Sequence, residues 1–271
     1  DSDGLTVNLG SSGTGTGTNS SGDNFVTWNW LADNTSGSSN TDGSITSTVS
    51  ANTTSGFSIV SYTGNGSVAT VGHGLGVTPK IFIVKNRTSS NSWSVYSSMT
   101  GNGNKLLLNS NDASSSSGNW NSTSPTSSVF TINGGSGEVG ASGNNYIAYC
   151  FAEKSGYSSM GKYTGNGSTD GTFVYTGFRP AFVIRKRTDS TADWRMDDSK
   201  RDGYNVIPHT LFPNYSNEET TSSGYYVDLL SNGFKCRGTS VNQNASGGSY
   251  IYMAFAENPF VTSTGIPTCA R

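Results

Sequence analysis

The sequence repeats itself about every hundred residues, and this internal similarity constrains the fold more than any other feature. The segment Tyr62-Thr-Gly-Asn-Gly-Ser67 returns as Tyr163-Thr-Gly-Asn-Gly-Ser168, and the apolar segment 76–85 returns as 177–186 at the same offset. Both copies end in a similar closing segment, residues 142–153 and 246–257. Self-similarity at a fixed period indicates duplicated structural modules, which suit a structural or binding protein better than a single-site enzyme.

Residues 21–33 carry the closing pattern a third time, with Phe25, Trp28 and Trp30 at the aromatic positions. We therefore interpret residues 1–33 as the C-terminal remnant of a preceding repeat, in a processed protein, a fragment or part of a longer chain. An isolated hairpin with an aromatic face needs a partner to cover it. That partner is upstream sequence, a repeat of the same chain or a neighbouring subunit.

The rest of the chain divides by composition. Residues 34–54 contain few large apolar residues and are predicted to be a linker. Residues 55–154 form the first predicted β repeat, residues 155–260 form the second, and residues 261–271 form a C-terminal tail.

The composition excludes several classes of protein. Only 13% of the residues are charged and 32% are hydrophobic, but 12 Phe, 13 Tyr and 5 Trp argue against a disordered chain. A net charge of −2 is not the positive charge that is typical of a nucleic-acid-binding protein. No apolar run is long enough to cross a bilayer. Cys150, Cys236 and Cys269 occupy non-equivalent positions, so neither a disulfide framework nor a zinc site is expected.

Short apolar runs separated by Gly, Asn and Ser predict strands and turns. Residues 81–84, Ile-Phe-Ile-Val, are apolar at every position, which is typical of a central strand covered on both faces. Six or seven such runs per hundred residues predict an all-β fold, with tandem antiparallel β-sandwich-like modules in an elongated arrangement.

The sequence offers few candidates for catalysis or metal binding. His73 and His209 accompany no nucleophile signature, so we expect them to make loop hydrogen bonds. Asp33, Glu153 and Glu257 end the three closing segments, one per repeat, and cannot pair within a repeat as a glycosidase requires. The acidic stretch 189–202 is interleaved with basic residues and has no calcium-loop spacing. We predict no catalytic residue, no metal and no cofactor.

Aromatic side chains are the candidate ligand contacts. The chain has more large rings than small sandwich cores need, and exposed rings stack on sugar faces. The candidates are Trp93, Trp120, Trp194, Tyr204 and Tyr215. The alternative for each ring is cross-strand packing or packing between modules.

A family resemblance rests on four motifs: the segment 72–85, the repeated Tyr-Thr-Gly-Asn-Gly-Ser, the closing segment 146–153 and the ending Ala256-Glu-Asn-Pro-Phe260. Together they resemble tail-fibre-like virion proteins of bacteriophages, especially marine ones, over residues 20–260. The resemblance implies a virion surface location, elongated β modules, oligomerisation, and attachment to host glycans or envelope components. It supplies no catalytic residues.

The sequence thus predicts a non-enzymatic virion appendage protein that attaches multivalently to host surface glycans or the envelope. Its expected partners are other virion proteins, copies of itself and host carbohydrate, with no nucleic acid and no membrane insertion. The alternatives are a capsid decoration or head-fibre protein, a cellular filament or adhesin subunit assembled by strand exchange, and a polysaccharide depolymerase.

Overall fold

The computed structural model describes residues 6–7, 19–33, 35–257 and 259. The strands of its first half are β1 (Ser38–Asn40), β2 (Ser47–Asn52), β3 (Phe57–Thr63), β4 (Ala69–Gly72), β5 (Ile81–Asn86), β6 (Ser94–Ser97), β7 (Asn104–Leu107), β8 (Ser115–Ser116), β9 (Val129–Ile132) and β10 (Asn145–Phe151). Those of its second half are β11 (Ser158–Thr164), β12 (Phe173–Tyr175), β13 (Pro180–Arg187), β14 (Arg195–Asp198), β15 (His209–Thr210), β16 (Thr220–Thr221), β17 (Val227–Leu230), β18 (Gly233–Cys236) and β19 (Ser249–Ala256). A short helix α1 (Ser199–Asp202) and a 3-10 turn (Ser223–Tyr225) complete the described elements. The all-β class is confirmed.

Four antiparallel sheets carry the architecture. Sheet I has the order β1-β2-β3-β10-β5-β6-β7-β8, and sheet II pairs β4 with β9. Sheet III has the order β11-β19-β13-β14, and sheet IV the order β12-β18-β17. The strands β15 and β16 form a separate small ribbon.

Three apolar cores lie between these sheets, so the layers stack in the order II, I, III, IV. The first core joins sheets I and II and includes Phe82 and Phe130. The second joins sheets I and III and includes Phe151 and Phe255. The third joins sheets III and IV and includes Tyr250. Sheets I and III are therefore covered on both faces.

Alternation along β5 explains its uninterrupted apolar sequence. Phe82 and Val84 face the first core, whereas Ile81 and Ile83 face the second. Successive side chains of a strand point to opposite faces, so a doubly covered strand needs apolar residues at every position. The predicted central position of this strand is confirmed.

The two repeats share local geometry around paired tyrosines. Tyr62 stacks on Tyr146 at 5.2 Å between ring centroids, and Tyr163 stacks on Tyr250 at 4.9 Å. Tyr62 donates its hydroxyl to the carbonyl of Val139, as Tyr163 does to that of Gln243, both at 2.8 Å. The recurring Tyr-Thr-Gly-Asn-Gly motif thus places a buried ring whose hydroxyl is satisfied by backbone.

Residues 34–54 are not a linker, which corrects the prediction from composition. They contain β1 and β2, and β2 pairs with β3 along Thr48–Asn52. Ladder hydrogen bonds to both neighbours and the short inward side chains of Ser47 and Val49 suffice for this strand between β1 and β3.

Residues 19–33 contain no helix or strand. The side chains of Trp28 and Trp30 nonetheless pack against the second core, and the Trp30 ring lies 5.3 Å from that of Phe255. The Trp30 ring also meets that of Phe151, so this aromatic segment is covered by both repeats of the same chain. Its origin as a remnant repeat, the outer repeat boundaries and the elongated arrangement stay predictions, and the tail 261–271 lies outside the described residues.

Candidate functional site

A polar cleft opens where sheets I and III diverge, with a volume of about 620 Å³. One wall comes from the β6–β7 turn and the segment before β8, and the other comes from the ends of β11, β13 and β19. The lining residues are Met99, Thr100, Asn104, Ser114, Lys162, Tyr163, Thr164, Thr188, Asp189, Ser249, Tyr250 and Ile251. Hydroxyl and amide groups therefore dominate, with one lysine and one carboxylate.

Lys162 and Asp189 give the cleft opposite charges. Asp189 accepts a hydrogen bond from Nε of Arg187 at 2.8 Å and from the backbone N–H of Ser249 at 3.1 Å. The bond from Arg187 lowers the pKa of Asp189, so this carboxylate is ionised at neutral pH. The ammonium of Lys162 has no ion-pair partner among the described residues, so it is available to a ligand.

Ser114 contributes an unsatisfied polar atom to the same cleft. Its backbone N–H donates to the carbonyl of Thr188 at 2.9 Å, which fixes the segment before β8 against the end of β13. Its hydroxyl oxygen is buried and has no hydrogen-bond partner among the described residues. An unpaired buried hydroxyl costs free energy, so a ligand group that bonded to it, once the side chain had turned toward the cleft, would bind more favourably.

The arrangement suits recognition of a polyhydroxylated ligand. Sugar hydroxyls both donate and accept hydrogen bonds, and the cleft offers both kinds of partner on short side chains. Hydrolysis of a glycoside usually requires two carboxyl groups flanking the bond. Asp189 is the single carboxylate among the lining residues, and it is already paired with Arg187.

A second cavity, of about 190 Å³, lies within the core between sheets I and III. Its walls are apolar and include Trp28, Trp30, Ile83, Trp194 and Met196. It offers no directed polar contact, so it is a less suitable site for a specific polar ligand.

None of the five aromatic candidates lines the polar cleft. Trp120 is fully buried in the first core, and Trp194 is 4% exposed with its indole N–H donated to the carbonyl of Leu107. The expectation that these two rings lie at the surface is corrected, because each fills core space and has its N–H satisfied within the fold.

The other three candidates lie apart from one another. Trp93 is half-buried and stacks on Tyr149 at 6.4 Å. Tyr204 is 82% exposed and borders a shallow depression next to Arg179. Tyr215 is 48% exposed and contacts the ring of Phe212. The structure therefore gives no shared aromatic platform.

The two histidines make contacts within the fold. The ring of His73 is buried, with Nδ1 accepting from the N–H of Leu75 and Nε2 facing the carbonyl of Thr126, both at 3.2 Å. Burial lowers the pKa of His73, so the ring is neutral. His209 contacts the carboxylate of Asp202.

The three carboxylates that end the closing segments have structural partners. Asp33 accepts from the hydroxyl of Thr35, and Glu153 accepts from the N–H of Met160 at 3.1 Å. Glu257 forms an ion pair with Arg179.

The acids of the stretch 189–202 have partners as well: Asp189 with Arg187, Asp193 with two Asn side chains, Asp197 with Arg185 and Arg195, Asp198 with Arg201, and Asp202 with His209. Within the described residues, no group of three metal-ligating side chains is found.

Sequence reasoning missed a buried charge network in the third core. Arg185 and Arg195 are fully buried and share the carboxylate of Asp197, and both donate to Oε1 of Gln243, at 3.0 and 2.6 Å. Burial opposes both charges and lowers the pKa of Arg195 to about 10, while the Asp197 carboxylate raises the pKa of Arg185. Both guanidiniums are therefore charged at neutral pH. In the first repeat, Val84 and Tyr96 occupy the positions equivalent to Arg185 and Asp197. Charged residues at positions that are uncharged in the other repeat were the sequence signal that could have revealed the network.

Comparison with known proteins adds one finding. Residues 1–259 match the model of a family described as a domain of unknown function (DUF7483). The chain belongs to this family. One family unit thus spans all four sheets and the N-terminal aromatic segment. No curated protein and no solved structure matches the chain. None of the helices described is long and apolar enough to cross a membrane.

Proposed function

We propose that this chain is a virion appendage protein, resembling a tail fibre, that binds host surface glycans through the polar cleft between sheets I and III. The observation that carries the proposal is the cleft itself, which combines hydroxyl groups, an unpaired buried serine hydroxyl and an unpaired lysine. The motifs shared with tail-fibre-like proteins support the virion location.

Binding in this proposal is weak at each site and multiplied by copy number. A shallow cleft with short polar side chains forms few hydrogen bonds to a sugar, each contributing on the order of 1 kcal/mol. Linked copies turn later binding events into intramolecular ones, so avidity exceeds the affinity of one site by about 10² to 10⁴. An appendage that carries several copies provides this multiplicity.

The proposal includes no enzymatic step. The carboxylates considered for glycoside hydrolysis, Asp33, Glu153 and Glu257, accept structural hydrogen bonds or form ion pairs. These contacts favour binding over cleavage as the role of the chain.

The test of glycan binding displays the chain on a tetravalent streptavidin scaffold and probes an array of purified bacterial surface polysaccharides. Lys162→Ala and Ser114→Ala change the cleft, while Lys80→Ala removes an exposed lysine outside it. We expect the wild type and Lys80→Ala to bind the same polysaccharides and the two cleft variants to lose at least about tenfold in apparent affinity, equivalent to about 1.4 kcal/mol. Equal binding by all four proteins, or none by the wild type, would contradict the proposal.

The virion location has a separate test. Antibody raised to residues 55–257 and labelled with gold is applied to virions and to infected cells for electron microscopy. Label on tail fibres agrees with the proposal, whereas label over the head would assign the chain to capsid decoration. Label on cell-borne filaments with bare virions would exclude a virion role.

A further inference from the structure

The two repeats differ along one side of their sheets. In the first repeat, residues 38–52, here named the clip, contribute β1 and β2 and bridge sheets I and II. Within it, Thr48 pairs with Ser61 of β3. At the same time Ile45 donates its backbone N–H to the carbonyl of Thr70 on β4 at 3.1 Å. The clip therefore closes the edges of β3 and β4 together.

Among the described residues, the second repeat has no clip of its own. Residues 152–157 run directly from β10 to β11 and contain no strand. The counterpart of β3 is β11, which pairs with β19 and with no other named strand. The counterpart of β4 is β12, whose one strand partner in the described part of the chain is β18. Within the described residues, no strand lies on the side of β11 and β12 that the clip covers in the first repeat. The ends of this side of β11 are bonded locally, because Ser158 donates its N–H to the carbonyl of Lys154 and Thr172 donates its hydroxyl to the carbonyl of Thr164. The middle of β11 has no strand beside it there.

The register identifies the backbone groups that point away from β19. The carbonyls of Tyr157 and Gly248 accept from Ala256 and Gly165, so the odd-numbered residues of β11 bond to β19. The even-numbered residues therefore face outward. Of these, the N–H of Met160 is bonded to the carboxylate of Glu153. The N–H of Lys162 has no partner among the described residues, although the equivalent Ser61 is paired with β2. An unpaired edge of this kind is a template for a further strand.

The sequence contains a second copy of the central part of the clip. Ile45-Thr-Ser-Thr48 is the stretch that crosses from β4 to β3, and Val261-Thr-Ser-Thr264 repeats it. A β-branched aliphatic residue followed by Thr-Ser-Thr occurs at these two places alone in the sequence. Residues 261–264 lie outside the described residues.

We propose that residues 261–264 of a second copy of this chain cross from β12 to the open part of the β11 edge and complete the second repeat, as residues 45–48 of the clip cross from β4 to β3 in the first. The direction of the chain points to a second copy. The N–H of Ala256 bonds to the carbonyl of Tyr157, so β19 ends beside the start of β11, and the tail of the same chain would run parallel to β11. The clip strand β2 instead runs antiparallel to β3, and a second copy approaches in that direction without constraint.

The proposed contact joins different surfaces of the two copies. Such a head-to-tail interface closes into a ring or continues as a filament. It therefore supplies the repeated copies that multivalent attachment needs, and it holds independently of whether the ligand is a glycan.

The test combines two complementary defects. A chain ending at residue 257 keeps the open edge and lacks the tail. Lys162→Pro keeps the tail and removes the outward N–H, a position where an edge strand tolerates proline. We expect each to be monomeric by light scattering under reducing conditions, and an equimolar mixture to form a 1:1 complex of twice the mass. The unmodified chain is expected to assemble further as its concentration rises.

Three controls separate the proposal from trivial outcomes. Lys162→Ala keeps the backbone N–H and is expected to assemble like the unmodified chain. Val261→Asp changes the tail and none of the described strands, so its failure to assemble cannot be attributed to misfolding of β11. A synthetic peptide of residues 258–271 is expected to bind the chain ending at 257.

Either of two results would overturn the proposal. One is a monomeric unmodified chain together with a peptide that does not bind. The other is a peptide that binds the shortened chain while the unmodified chain stays monomeric at every concentration, because the tail then occupies β11 of its own chain. Glycan binding by the Lys80→Ala and wild-type proteins is scored separately, so the two proposals fail independently.

Discussion

The substitution Asp197→Asn tests the buried charge network of the third core. Asp197 is fully buried and accepts from both Arg185 and Arg195, which are fully buried as well. Asparagine has nearly the same shape, so the change removes the negative charge without opening a cavity. Two guanidinium groups then lie in the core without a counter-charge.

The magnitude follows from the burial of all three groups. Removing one partner from a buried ion pair costs roughly 3 to 5 kcal/mol, because the remaining charge is neither solvated nor compensated. For a chain of this size, 1 kcal/mol lowers the melting temperature by about 2 to 4 °C. We therefore expect Asp197→Asn to melt about 6 to 20 °C below the wild type.

The assay is thermal unfolding followed by circular dichroism, with urea unfolding for the free energy. The matched control is Asp189→Asn, which removes the Arg187 partner from a pair whose carboxylate is 40% exposed. A solvent-exposed pair contributes about 0 to 1 kcal/mol. If Asp197→Asn costs no more than this control, the third core does not depend on charge compensation, and the reasoning from burial fails.

Three further substitutions test other parts of the fold. Trp30→Ala removes a half-buried ring from the core between sheets I and III. We expect it to lower the free energy of unfolding in urea by about 2 kcal/mol, which is less than the cost for a fully buried Trp. An unchanged free energy of unfolding would show that the N-terminal segment is dispensable for stability. Burial lowers the pKa of His73 below its usual 6.5. As the pH is lowered from 6.5, the free energy of unfolding of the wild type should therefore decrease relative to that of His73→Gln, by at most about 1.4 kcal/mol per pH unit. Parallel curves of stability against pH would contradict a buried neutral ring. Burial opposes the charge of Glu138, but hydrogen bonds led by that from Lys105 lower its pKa below 4.5. The stability advantage of wild type over Glu138→Gln should therefore be full above pH 4.5 and disappear as pH falls through the lowered pKa, and a gap that persists in acid would refute it.

A strand was predictable from the sequence wherever its own residues showed a clear hydrophobic pattern. The apolar run at residues 81–84 indicated a strand covered on both faces, and both cores are present. The clip was missed because its strand β2 buries only small side chains, so it carries almost no hydrophobic signal. Its position comes from the ladder with β3, which composition does not report.

The candidate site was much less predictable. Trp120 and Trp194 were assigned to the surface because a count of rings says nothing about how many sheets share a core. Stacking four sheets creates three cores, and these absorb more aromatic side chains than two separate small sandwiches would. The polar cleft joins residues from Met99 to Ile251, and no sequence motif links them.

The sequence by itself determined the repeat, the all-β class and the doubly covered strands, because each depends on local periodicity or on similarity between segments of one chain. The tertiary structure decided which faces meet, where Trp28 and Trp30 lie, which carboxylates are paired and where an edge is left open. Those features depend on contacts between residues far apart in the chain, and such contacts follow from packing and register.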